Sequence, residues 1–208
     1  MMLPLGAQIV PEELVCKEHQ RFQSQLSRRN NSGVKHGYLI DYNRCKWWVN
    51  PIKGPYFKGD VMAHFTVITN TDSVGFDLSA NLKVDRVYGA GGQSLLYRRN
   101  GNQLYVYKAG GWMGGSRDSV GIAYQGNPSN GGGFGYFVHD NHMKGPIVHT
   151  LSEPYGAQYW WPCKQTLHDK IDSLDVWVYT DTSMKAASNG VVVRNEVLND
   201  SQRLMVWK

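Results

Sequence analysis

Asp60-Val-Met-Ala-His-Phe-Thr-Val-Ile-Thr-Asn70 decides the fold class. Val61, Ala63, Phe65 and Val67 alternate with Met62, His64, Thr66 and Ile68. A period of two puts one of these sets on a single face only if the backbone is extended, so the segment is a strand covered on at least one side. The same period begins at Tyr38 and continues in short runs at 74–78, 82–88, 94–98, 103–108, 120–125, 147–151, 174–179, 191–194 and 203–207. Asn70-Thr-Asp72, Gly89-Ala-Gly-Gly92 and Asn100-Gly101-Asn102 separate them with turn chemistry. The Asn100-Gly101 step between two apolar runs is a hairpin signal. Short strands without intervening amphipathic helices predict an all-β chain, an antiparallel sandwich or saddle of many short strands.

One helix is expected, at the N-terminus. Pro11-Glu12-Glu13 suits a first helical turn, and Val15, His19, Phe22 and Leu26 share one face at helical spacing. Polar residues after Arg28 end the pattern. The expected organisation is an N-terminal arm and helix over 1–37, then a single β domain over 38–208, with no internal repeat and no linker.

Composition bounds the function classes. With 41% hydrophobic and 19% charged residues among 208, the chain is globular in character. Its net charge of +5 is spread along the sequence, the densest pairs being Arg28-Arg29 and Arg98-Arg99. Without a basic stripe or a recognition module, no nucleic-acid partner is expected. No apolar run reaches the roughly 18 residues of a membrane span. Cys16, Cys45 and Cys163 lack CxxC spacing, and one pair could bridge. Met1-Met-Leu-Pro-Leu-Gly-Ala-Gln8 reads either as the tail of a trimmed signal peptide or as a cloning start. The first makes the expected location periplasmic or extracellular; a cytoplasmic location is the alternative.

Several motifs that suggest chemistry dissolve on inspection. Gly110-Gly-Trp-Met-Gly-Gly115 and Asn130-Gly-Gly-Gly-Phe-Gly135 lack the Gly-Lys-Ser/Thr ending of a phosphate loop and read as surface loops. His139-Asp-Asn-His142 is one residue short of the zinc-protease spacing and carries Asp140 where the base would be Glu, so no metal site is expected in this chain. Cys163, between Pro162 and Lys164, reads as a buried, inert thiol. A carboxylate pair for glycoside chemistry stays open, because separation in space is not visible in sequence. Trp47-Trp48, Trp112 and Tyr159-Trp160-Trp161 either stack on sugars or fill the core, and core filling is favoured because aromatics supply so much buried area.

Glu153 is the remaining candidate. It lies in Thr150-Leu-Ser-Glu-Pro-Tyr-Gly-Ala-Gln-Tyr-Trp-Trp-Pro-Cys163, where Pro154 restricts the backbone before it. A held carboxylate can anchor a cation through charge-assisted hydrogen bonds. On residue chemistry alone, a solvated loop acid is the simpler account.

The order Thr150-x-x-Glu153-Pro154-x-x-Ala157, Pro162-Cys163, Lys170 and Ala187-Ser-Asn-Gly190 resembles the N-terminal domain of the M1 (gluzincin) zinc aminopeptidases. Upstream, Tyr38–Tyr42, Val49-Asn50-Pro51, Tyr56–His64, Phe76-Asp-Leu78, 82–87 and 120–126 are similar to that domain's strands, so the resemblance covers about 38–208. It implies a β-sandwich or saddle that docks on a thermolysin-like catalytic domain. Glu153 falls on the glutamate that binds the free α-amine of a peptide substrate. Leu151, Ser152 and Pro154 fall beside it as further substrate-binding positions. The zinc, its H-E-x-x-H helix and the catalytic tyrosine are expected in a catalytic domain after residue 208, so the chain alone is expected to be inactive. Leu151 stands where the family often has Gln, Gln158 where Arg is common, and Gln165 and Leu167 where Asp and Pro follow the Pro-Cys. These departures mark a divergent branch. The alternative is a free-standing β-sandwich module for carbohydrate binding or adhesion.

Overall fold

A computed structural model describes residues 37–129, 136–143, 145–153, 155–166 and 169–208. Its strands are β1 (Tyr38–Val49), β2 (Phe57–Val67), β3 (Thr71–Asp77), β4 (Leu82–Gly89), β5 (Leu96–Asn100), β6 (Gln103–Trp112), β7 (Arg117–Gly126), β8 (Phe137–His142), β9 (Gly145–Thr150), β10 (Ser173–Thr180), β11 (Val192–Asn199) and β12 (Gln202–Trp207). Short 3-10 turns occur at Pro51–Lys53 and Ala157–Tyr159. The all-β expectation holds for the described residues. The N-terminal helix expected near Pro11–Leu26 lies outside them.

Seven strands form the main sheet in the order β11-β12-β10-β1-β2-β7-β4, β3-β6-β5 form a second sheet, and β8-β9 a third. In β2, Phe57, Val61, Ala63, Phe65 and Val67 are buried, the inward set that alternation predicts. Its neighbour β1 does not keep one parity. Tyr38 and Ile40 point inward, and so do Asn43, Cys45 and Trp47, because the β1–β2 register shifts between Ile40 and Tyr42. The extra residue of the bulge flips which positions face the core. The β5–β6 hairpin pairs Asn100 with Gln103 across Gly101, whose φ of 57° is the left-handed value that Asn-Gly turns require.

β1 and β10 pair in parallel, Cys45 opposite Val176 and Trp47 opposite Val178, although the other strand pairs described here are antiparallel. β7 ends opposite Phe57, near the Val49 end of β1, whereas β10 starts opposite Tyr42, so the chain between β7 and β10 crosses along the main sheet, and this crossover carries Glu153. The two larger sheets pack face to face: Tyr38 meets Phe76 at 6.4 Å between ring centroids and Phe65 meets Trp112 edge-on at 6.1 Å. Ala157, Trp160, Trp161 and Cys163 of the crossover belong to the same core. Among the described residues no helix is long and apolar enough to cross a membrane.

Candidate functional site

Glu153 is exposed in a turn between β9 and the 3-10 turn at Ala157–Tyr159. Leu151 and Tyr155 beside it are exposed, and Ser152 is half-buried. Pro154 lies outside the described residues. The turn closes with the Gly156 amide donating to the Ser152 carbonyl at 2.8 Å. At its start the Leu151 amide donates to the Tyr136 carbonyl at 3.0 Å.

Gly156 is required here by contact and not by backbone angle. Its φ is −82°, open to any residue, but an added Cβ would lie 1.9 Å from Cδ1 of Tyr136. The Tyr136 ring stacks on Tyr159 at 5.1 Å, with the planes 7° apart, so it stands between the glycine and a second ring.

Downstream, the crossover is fixed to both sheets. Tyr124 lies over Gly59, where an added Cβ would meet its ring at 2.4 Å, and its hydroxyl donates to the Trp160 carbonyl at 2.9 Å. The Ser79 amide donates to the Gln158 carbonyl at 2.7 Å. Asp77 and Cys163 exchange backbone hydrogen bonds of 2.7 and 3.0 Å, and the Asp77 carboxylate accepts from the Gln165 amide at 3.0 Å. Lys164 reaches inward to Asp169 at 2.7 Å, the two side chains being 6% and 3% exposed. Its ammonium also donates to the Tyr38 carbonyl and sits 4.2 Å from that ring's centroid. The Asp169 carboxylate accepts from the Ile40 amide at 3.1 Å. A buried ion pair with hydrogen bonds of this kind ties the segment to one register on β1.

Electrostatics agree with a structural role for the interior. Burial pushes the Cys163 thiol well above its usual range, with the Asp77 charge adding to the effect. Burial also raises Cys45. The Tyr38 phenol is raised first by burial and then by Asp169 and Asp77. Cys45 and Cys163 are both free, buried thiols, so they do not bridge each other.

The other sequence candidates resolve as follows. Trp47, Trp112, Trp160 and Trp161 are buried in the core, so they present no face to a sugar. Trp48 is stacked on Tyr179 at 4.8 Å and 8°, with the Lys58 ammonium 5.6 Å from its centroid. The carbohydrate alternative therefore loses four of its six rings; Trp48 and Tyr159, which stacks on Tyr136, are half-buried. His139 and His142 lie in β8, and His139 Nε2 donates to the Pro51 carbonyl at 2.7 Å. Half of the 110–115 glycine cluster is strand: Gly110, Gly111 and Trp112 end β6, where Trp112 pairs with Thr71. The 130–135 cluster lies outside the described residues. Ala187–Gly190 precedes β11 at the sheet edge, next to the backbone exchange between Val191 and Lys208.

Among the described residues no group of three or more His, Cys, Asp or Glu side chains is placed to hold a metal ion. Sequence reasoning missed Asp77, Tyr136 and Gly156 as the supports of the Glu153 turn. Gln165 was visible only as a departure from a motif.

No protein-family model matches the sequence, and no curated protein matches it significantly. Solved structures do. An M1 zinc metallopeptidase from Deinococcus radiodurans superposes with a TM-score of 0.73 at 17% identity, over 83% of this chain and 39% of that one. A point variant of that organism's enzyme bound to a Tyr-Ser-Ala substrate gives 0.69 at 17% identity, over 82% and 39%. A two-domain M1 variant bound to L-arginine gives 0.71 at 18%, with the same coverage of 82% and 39%. This chain thus has the fold of part of an M1 zinc metallopeptidase and spans about two-fifths of the length of those structures.

Proposed function

We propose that this chain is the noncatalytic N-terminal domain of an M1-type zinc aminopeptidase. In this proposal it docks on a catalytic domain and presents Glu153 to the free α-amine of a peptide. The supporting observation is an exposed carboxylate at the tip of a turn that a buried, hydrogen-bonded crossover holds in place. Leu151 and Tyr155, two residues to either side of it, are exposed, an apolar flank suited to cover by a second domain.

The physics explains why such a residue works only in a closed cleft. A carboxylate and an ammonium about 4 Å apart attract by about 1 kcal/mol in bulk water and about 4 kcal/mol at an effective dielectric near 20. On the open surface Glu153 is a weak site. Beneath a catalytic domain that excludes water it becomes a selective one, and by holding the amine it fixes how far the chain reaches toward the scissile bond. Zinc belongs to the catalytic domain in this proposal.

The test is Glu153→Gln in the longer enzyme that carries the catalytic domain. Losing a hydrogen bond to a charged group, about 1.5–3 kcal/mol, should raise KM for free-amine peptides about 10- to 150-fold. N-blocked peptides should be unaffected. An equal effect on both classes would refute the amine anchor.

A further inference from the structure

We infer that Gln165 is a positioning residue for the Glu153 turn, acting through the Tyr155 carbonyl. Among the described residues, the Leu151 amide ties the start of this turn to the Tyr136 carbonyl, the Gly156 amide closes it on the Ser152 carbonyl, and Gln165 Nε2 donates to the Tyr155 carbonyl. The Gly156–Ser152 bond is internal to the turn. The Gln165 bond holds the far side of the turn, past Glu153, to a part of the chain ten residues on.

Gln165 is well placed to serve as the support. Its own amide donates to the Asp77 carboxylate at 3.0 Å, at the end of β3. Cys163, two residues before, is exchanged with Asp77 through its backbone, and Lys164, one residue before, is buried against Asp169. The Cα of Gln165 is therefore set by both sheets, and only its side chain spans the gap to the turn. A backbone carbonyl can only accept, so the residue at 165 must donate. An amide of this length does so. A carboxylate at neutral pH has no proton to give and would repel the Tyr155 oxygen. Positioning of this kind matters because a carboxylate displaced by about 1 Å loses much of its orienting value.

This inference rests on the amine-anchor assignment, and the test separates the two. The first arm uses the 208-residue chain and follows amide hydrogen exchange across 151–156 in Gln165→Glu, which keeps the backbone bond to Asp77 and removes the donor. Losing a solvent-exposed hydrogen bond should speed exchange at Gly156 about fivefold, with the Asp77 and Cys163 amides unchanged. If Gln165→Glu does not fold, Gln165→Asn, which keeps the amide but is one methylene short, should show the same local loss. Unchanged protection at Gly156 overturns the inference. The second arm uses the enzyme with its catalytic domain. There Gln165→Glu should raise KM for free-amine peptides with kcat little altered, and the effect should vanish in a Glu153→Gln background. An enzyme that responds to Glu153→Gln but is indifferent to Gln165→Glu also overturns it. Indifference to Glu153→Gln itself, with exchange at Gly156 accelerated, sinks the amine anchor and leaves the Gln165–Tyr155 tie standing.

Discussion

Trp160→Ala separates a core tryptophan from a sugar-binding one. The ring is 6% exposed and packs against Trp47 at 4.6 Å, Phe57 at 6.0 Å, Trp161 at 6.1 Å and Phe137 at 6.5 Å between centroids. A buried aromatic of this size removes about 150–250 Å² from water, an upper limit of about 4–6 kcal/mol at 25 cal/mol per Å². Partial burial in the unfolded chain trims that figure, and mutational series place aromatic-to-alanine losses at about 3–5 kcal/mol. The Trp160 carbonyl keeps its bond from the Tyr124 hydroxyl in the variant, so the loss is confined to the side chain. For a domain of this size the expected fall in Tm is roughly 6–20 °C. Urea unfolding followed by far-ultraviolet circular dichroism, with calorimetry beside it, measures both quantities. A glycan-stacking ring gives the opposite pattern, a stability change within about 0.5 kcal/mol and a lost sugar affinity. A measured loss below about 1 kcal/mol would refute the core assignment.

Two further outcomes are expected. Gly156→Ala forces a Cβ into the Tyr136 ring, which Tyr159 backs, and should cost about 1–3 kcal/mol; Gly156→Ala with Tyr136→Ala should recover part of it, and a single variant as stable as the parent in urea would show that the turn is free to move. Cys45 and Cys163 should resist iodoacetamide at pH 8 in the folded protein and react once guanidinium unfolds it, because burial holds both thiols protonated and shielded. Modification of either in the native state at the rate of a free thiol, read by peptide mass spectrometry, would contradict their placement.

Strand positions were legible because alternation is a local signal. The run at 60–70 pointed Val61, Ala63, Phe65 and Val67 inward, and all four are buried. The Asn100-Gly101 turn was equally local, since a positive φ is what that dipeptide tolerates. The β1 bulge was not legible, because an extra residue in a strand is defined by the partner's register and leaves no mark in the strand's own composition. Nor was the parallel pairing of β1 with β10, which joins residues more than a hundred positions apart.

Sequence by itself determined that this is a strand-rich chain, where its turns fall, and that Glu153 precedes a proline in an aromatic-rich segment. Those properties depend on neighbours along the chain. Only the tertiary structure decided that Trp160 and Trp161 face the core and that Gly156 leaves room for Tyr136. It also decided that Gln165, set on Asp77, reaches back to the turn carrying Glu153. Each of these follows from steric exclusion and hydrogen-bond donors meeting acceptors across the two sheets, and such contacts exist only once the strands have paired.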